Sequence, residues 1–351
     1  MLLKKRHMRF APFGIAVMLT GVAVCAQPSF SQASGPKAAT PPPLIDARAK
    51  FRELFCGLLA KDAEWGGQPC DAWLRRMPGE AVQESSPAPL PNLQSKYDVL
   101  LVPGIFGECV KNAVTIFGDA AKNLRQKGVQ SEMVEVRGRA SSEHNAKIVR
   151  DAVMRHAADR PGRRIVLVTY SKGTADSLVA LGAYPEIVPH VVALVSFAGV
   201  VKGSPLADRA EGVYGATIGL LPFAACPVVD VGEMQSLTRA ERTEWLSTHT
   251  LPPSVRFYSV VAVPELARVS AVLLGPYLTL AATDPRNDSQ VFAEDAAIPG
   301  SKLLGHANAD HWAIAIPFNT APAPAALLVT QNRFPRPQLL EAALLMVEGD
   351  D

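Results

Sequence analysis

The sequence predicts an α/β fold: a mostly parallel sheet with helices on both faces, carrying a cap insertion and a small helical N-terminal extension. Three observations predict it. Short, nearly charge-free, β-branched runs recur between residues 97 and 307. Segments with helical spacing separate them, so successive strands are joined by crossovers and lie parallel. Finally, 48% of the residues are hydrophobic and 19% charged, enough apolar surface to cover a sheet on both sides and too much for a disordered chain.

The chain begins with the basic stretch "MLLKKRHMRF", followed by an apolar run from about Phe10 to Ala26 and the small residues of "VCA" and "SQA". This pattern predicts a secretory signal peptide over 1–26. Its run contains Pro12, Gly14 and Gly21 and is short for a membrane span; left uncleaved, it would anchor the chain to the inner membrane. The expectation is therefore an exported, periplasmic or secreted protein. Without those residues the balance of 35 basic to 33 acidic side chains becomes 31 to 33, and this lack of basic bias argues against a nucleic-acid partner. Residues 27–43, rich in Pro, Ser and Ala, read as a flexible leader.

Residues 44–91 read as a helical extension and linker. Cys56 and Cys70 flank the compact loop "CGLLAKDAEWGGQPC" and are expected to pair in an oxidising compartment. Cys109 and Cys226 remain, to pair on arithmetic alone or to stay as buried thiols. The Pro-rich "ESSPAPLPN" separates this extension from a domain over 92–351.

Within that domain "YDVLLV" is the first strand, followed by the loop "PGIFGEC" and a helix ending near Lys127. "SEMVEV" is the second strand. "SSEHNAKIVRDAVMRHAAD" is a helix with a serine start and an apolar spacing of Ile148, Val149, Val153 and Met154. "RRIVLVTY" is a strand that runs directly into Ser171, and the helix after it ends near Gly182. "HVVALVSFAG", "VRFYSVVAV" and "SKLLGHA" complete six strands. Residues 203–250 interrupt the alternation, and an insertion of that length predicts a cap or lid. Its uncharged "VYGATIGLLPFAAC" suits an acyl-binding pocket, a lipid surface or a buried core helix.

The stretch "VTYSKGT" has the outline of a G-x-S-x-G nucleophile turn, with Gly173 at the second glycine position and Thr169 at the first, where it is expected to crowd the turn. A serine hydroxyl becomes nucleophilic only beside a base that an acid orients. His311, in the loop after the last strand, is the candidate base. His306 competes but lies in the strand pattern, while His144 and His249 read as surface or packing residues. Asp288, in the polar turn "DPRNDSQV", is the favoured acid, with Asp284 second and Glu265 also in view; Asp310 adjoins the histidine too closely to face it. The backbone N–H of Lys172 and that of Ile105 or Phe106 are candidate donors to a developing oxyanion. The Lys172 side chain reads as solvated at a helix start. A metal site at His306, Asp310 and His311 lacks a third ligand at a familiar spacing, and no cofactor is expected.

"LLVPGIFGEC", "TYSKGTADSLVAL", "VSFAGVVKGSPLA" and "NDSQVFAEDAAIPGSKLLGHANADHWAIA" together resemble the lipase and esterase branch of the α/β-hydrolase superfamily over roughly residues 97–320. The resemblance implies hydrolysis of a small-molecule or lipid ester through an acyl-enzyme, with Ser171, Asp288 and His311 in the family's chain order, and contact with a lipid surface through the cap. The first glycine of the turn is the departure from the family. Amide or thioester hydrolysis uses the same groups, and a non-catalytic binding protein on this fold is the rival that Thr169 supports.

Overall fold

An apolar, Val-rich run forms a strand when both its faces are covered, and three such runs here lie in strands buried along their whole length: Asp98–Val102, Ile165–Tyr170 and Val191–Phe197. The computed structural model describes residues 42–81, 90–105, 107–110, 114–209, 229–230, 232–321 and 329–350. The expected signal peptide, nearly all of the leader, Phe106, the side chain of Cys109, and residues 210–228 of the cap with Cys226 lie outside them.

In chain order the strands are β1 (Ile45–Asp46), β2 (Leu74–Arg75), β3 (Asp98–Val102), β4 (Ser131–Met133), β5 (Ile165–Tyr170), β6 (Val191–Phe197), β7 (Arg256–Ala262) and β8 (Lys302–Ala307). The helices are α1 (Arg48–Ala60), α2 (Gly107–Val110), α3 (Gly118–Gln126), α4 (Ser142–Asp159), α5 (Lys172–Ala183), α6 (Arg239–Thr248), α7 (Leu274–Ala281) and α8 (Arg336–Gly349). The sheet runs β1-β8-β7-β6-β5-β3-β4. Every pair along it is parallel, and β2 joins β8 antiparallel. The expected α/β class and parallel sheet are present.

Alternate residues of each strand enter opposite cores. Val99, Leu101, Val166 and Val168 pack with residues of α1, α3 and α8. Leu100, Val102, Ile165 and Leu167 pack with those of α4 and α5. The serine start of α4 is borne out, since Ser141 Oγ accepts the His144 N–H at 3.2 Å. Of the predicted spacing of α4, Val149 and Val153 are buried and Ile148 is partly so, whereas Met154 is exposed and the buried face extends instead to Asn145, Ala152 and His156. Strand β4 is shorter than predicted, because the Val136 N–H turns back to Val134 O at 2.9 Å instead of continuing the ladder.

Besides helix α1, the N-terminal extension contributes two strands. Ile45 and Asp46 pair with Lys302 and Leu303, and Leu74 and Arg75 with Ala307 and His306. Placed end to end, the two dipeptides cover the outer edge of β8, an edge that would otherwise offer unpaired backbone groups. Cys56 and Cys70 form the expected disulfide. Helix α8, which is not among the elements expected from sequence, packs against α1 and α3.

Strand order reverses between β3 and β5, and the carboxyl ends of strands at such a point form the crevice where open α/β sheets bind ligands. The loop Pro103–Ile105 and Ser171 both stand there.

Candidate active site

Ser171 occupies the single residue between β5 and α5, with φ 53° and ψ −125°. A serine in that region costs of order 1–3 kcal/mol and persists only where the surroundings enforce it. Here the Ser171 N–H donates to Phe197 O at 3.2 Å and Ser171 O accepts the Val200 N–H at 3.1 Å. The turn also requires a bare backbone at Gly173, where a Cβ would lie against Val102 O and 2.5 Å from Pro103 O.

The structure brings Ser171, His311 and Asp288 together. Ser171 Oγ lies 2.8 Å from His311 Nε2, and His311 Nδ1 lies 2.7 Å from Asp288 Oδ2. With the Nδ1 proton donated to Asp288, Nε2 is left to accept from the serine hydroxyl. All three are buried, Ser171 at 3%, His311 at 4% and Asp288 at 1% exposure. The loops are tied as firmly as the side chains. The His311 N–H donates to Asp288 O at 2.8 Å, and Tyr170 OH donates to His311 O at 2.8 Å. The other Asp288 oxygen, Oδ1, accepts the N–H groups of Gln290 and Val291 at 2.9 and 2.8 Å.

The remaining candidates have other partners. Asp284 pairs with Arg286 at 2.7 Å in an exposed turn, and that contact, against some burial, holds its carboxyl below the usual range. Glu265 accepts from Asn308 Nδ2 at 3.2 Å. Asp310 shapes the histidine loop by accepting the N–H groups of Ser270, Trp312 and Ala313, and its complete burial raises its carboxyl. His306 lies in β8, where burial and then Arg48 lower its imidazole to about 4. His249 stacks on Trp245. Among the described residues no group of three His, Cys, Asp or Glu side chains converges as a metal site, and no helix is long and apolar enough to cross a membrane.

Of the two candidate oxyanion donors, the Lys172 N–H belongs to the first turn of α5, where N–H groups have no intrahelical acceptor and the helix dipole is positive. Ile105 follows Gly104, whose missing side chain allows the loop to lie against the serine: a Cβ there would be 2.8 Å from Ser171 Cβ and 3.2 Å from Oγ. The Ile105 side chain packs against the apolar cluster that includes Ala175 of α5 and Val291.

Two expectations need correction. The Lys172 side chain is 1% exposed, not solvated, because α4 packs over α5. Its ammonium donates to Asp176 at 2.6 Å. Burial raises the Asp176 carboxyl while Lys172 pulls it down, and burial lowers the neighbouring Arg242 guanidinium to about 10. A Lys and an Asp four apart in the otherwise uncharged "KGTADSLVALG" were the available signal, since a helix that apolar is covered all round. Nor does Thr169 crowd the turn. Its hydroxyl is bonded to Thr174 Oγ1 at 2.9 Å, and Thr174 in turn to Ser196 Oγ at 3.0 Å. Space for these hydroxyls comes from Gly199, where a Cβ would meet Ser196 Oγ and Thr174 Oγ1.

No family model matches the chain. A metagenomic carboxyl esterase of known structure is 36% identical, with a TM-score of 0.80 over 90% of this chain and 97% of its own. The mature form of a Bacillus licheniformis lipase shares the fold at 17% identity, with a TM-score of 0.52 over 62% of this chain and 86% of its own. A triacylglycerol lipase of Vibrio cholerae serotype O1 is 28% identical over 120 residues, 34% of this chain. The match spans 38% of that lipase's length.

Proposed function

The chain belongs to the esterase and lipase branch of the α/β-hydrolase superfamily, and from that premise we propose that it is an exported serine hydrolase that cleaves carboxylic esters through an acyl-enzyme. The observation that carries the reading is the line of contacts from Ser171 Oγ to His311 Nε2 to Asp288, at 2.8 and 2.7 Å, beginning at a serine in a strained turn.

In this reading His311 Nε2 takes the Ser171 proton as Oγ attacks the ester carbonyl. Asp288 fixes the tautomer and stabilises the imidazolium. The N–H groups of Lys172 and Ile105 hold the negative oxygen that forms, a contribution worth about 10²–10³ in rate per donor in well-studied cases. His311 then protonates the departing alcohol, and the same groups activate water to release the acid. The basic and apolar start of the sequence and the Cys56–Cys70 disulfide support export.

Labelling by a fluorophosphonate tests the proposal. Wild type is expected to label and to hydrolyse short acyl esters, and Ser171→Ala to do neither. A folded wild type that stays unlabelled with and without detergent would sink the reading.

A further inference from the structure

Lys172 has a second role to account for, because its buried ammonium starts an unbroken line of hydrogen bonds beneath the site. It donates to Asp176 Oδ1 at 2.6 Å, and Asp176 Oδ2 accepts from Asn145 Nδ2 at 2.8 Å. Asn145 then holds both backbone groups of Arg137, accepting from its N–H and donating to its O at 2.9 Å each. From that turn Arg137 Nη1 and the Gly138 N–H donate to the two oxygens of Glu108, at 3.0 and 3.2 Å. Glu108 follows Gly107, whose N–H donates to Gly104 O at 3.2 Å. One end of the line is the residue with the first oxyanion donor, and the other is the turn that carries Ile105.

Stability alone is a weak reason for such a line. Two charges moved out of water lose hydration that their attraction barely restores, and apolar residues of the same volume often replace a buried pair without loss. Geometry is a better reason. Donors act on an oxyanion only within a few tenths of an ångström of their best distance, and a line of directional hydrogen bonds fixes a distance more closely than apolar packing does.

We propose that Lys172, through its side chain, together with Asp176, Asn145 and Glu108, are positioning residues that set the distance between the Lys172 and Ile105 N–H groups. This inference rests on the ester-hydrolase reading above.

The test compares ester turnover in wild type, Glu108→Ala and the double variant Lys172→Met/Asp176→Leu, which removes both buried charges together. Each folded variant is expected to keep its KM within about twofold and to lose kcat by about 10–100-fold, the usual cost of removing a group that orients the groups of a site. Affinity for a boronic acid, which forms the tetrahedral oxyanion adduct, is expected to fall by the same factor. Combining all three substitutions is expected to add little further loss, because both ends act on one distance. Wild-type kcat in the folded variants, or losses that multiply, would overturn the inference while leaving the hydrolase reading intact. If the core double variant does not fold, Glu108→Ala, at the surface end of the line, decides alone. An inactive, unlabelled wild type would instead remove the hydrolase reading, and this inference with it.

Discussion

Gly104 offers the most direct perturbation of the proposed oxyanion geometry. Alanine there puts a methyl group 2.8 Å from Ser171 Cβ, 3.2 Å from its Oγ and 3.2 Å from Tyr170 Cδ1, whereas ordinary contacts begin near 3.4 Å. Something must shift by roughly 0.6 Å. Ser171 resists, since its backbone is bonded on both sides and its hydroxyl lies 2.8 Å from His311. The loop therefore moves and takes the Ile105 N–H with it. A donor that works at about 2.7–3.1 Å is carried out of range, and losing one such donor costs about 3–4 kcal/mol of transition-state stabilisation, or 10²–10³ in kcat. The stability cost is that of modest overpacking, about 1–3 kcal/mol, so the variant is expected to fold. The assay is kcat on a chromogenic short-chain ester, with thermal melting in parallel. Gly275→Ala in α7 serves as control, because nothing lies within 4 Å of a Cβ there. A folded Gly104→Ala protein that turns over at the wild-type rate would refute both the close approach and the role given to Ile105.

Three further outcomes are expected. Asp288→Asn should lower kcat by about 10³–10⁴ through the wrong histidine tautomer, while Asp284→Asn, whose native carboxylate serves Arg286, stays near wild type; equal rates in the two would reassign the acid. His306 is held neutral, its imidazole lowered from 6.5 to about 4. Its stability contribution is full above pH 6.5 and is lost as pH falls through 4, at most about 3 kcal/mol; urea midpoints at pH 7, 5.5 and 4 should show this slope in wild type and a flatter one in His306→Gln. Reducing the Cys56–Cys70 bridge, with a sequence separation of 14, should remove about 3 kcal/mol and lower Tm by roughly 5 °C, and an unchanged melt in reductant would deny it that role.

The strands of the central sheet were legible because each buried run is β-branched and bounded by polar turns, a signal carried within the segment. β1 and β2 were not, since two residues have no period and their pairing with β8 is decided by residues more than 200 positions away. The acid shows the same division. Asp284 and Asp288 sit in one polar turn, and the sequence ranks Asp288 first without a physical contrast between them; what separates them is that Asp288 is buried at 1% exposure and receives the N–H groups of Gln290 and Val291. The burial of Lys172 was not legible either, because a lysine at a helix start is usually solvated, and only the packing of α4 over α5 decides otherwise.

Thr169 bears on what a nucleophile turn demands. The glycines of G-x-S-x-G allow a strand and a helix to approach each other, and that is a requirement on space rather than on one position. At Gly173 the clash of an added Cβ would be with two backbone carbonyls, which cannot yield, so no larger residue fits. At 169 the neighbours are side chains. Thr174 and Ser196 offer hydroxyls that bond to Thr169 rather than collide with it, and Gly199 vacates the volume they need. The missing side chain has moved from strand β5 to the loop after β6. Three buried hydroxyls that satisfy one another cost little, whereas one left alone there would cost of order 1–3 kcal/mol. Thr169 is thus a repacked version of the family's turn and gives no support to a chain that keeps the fold without the chemistry.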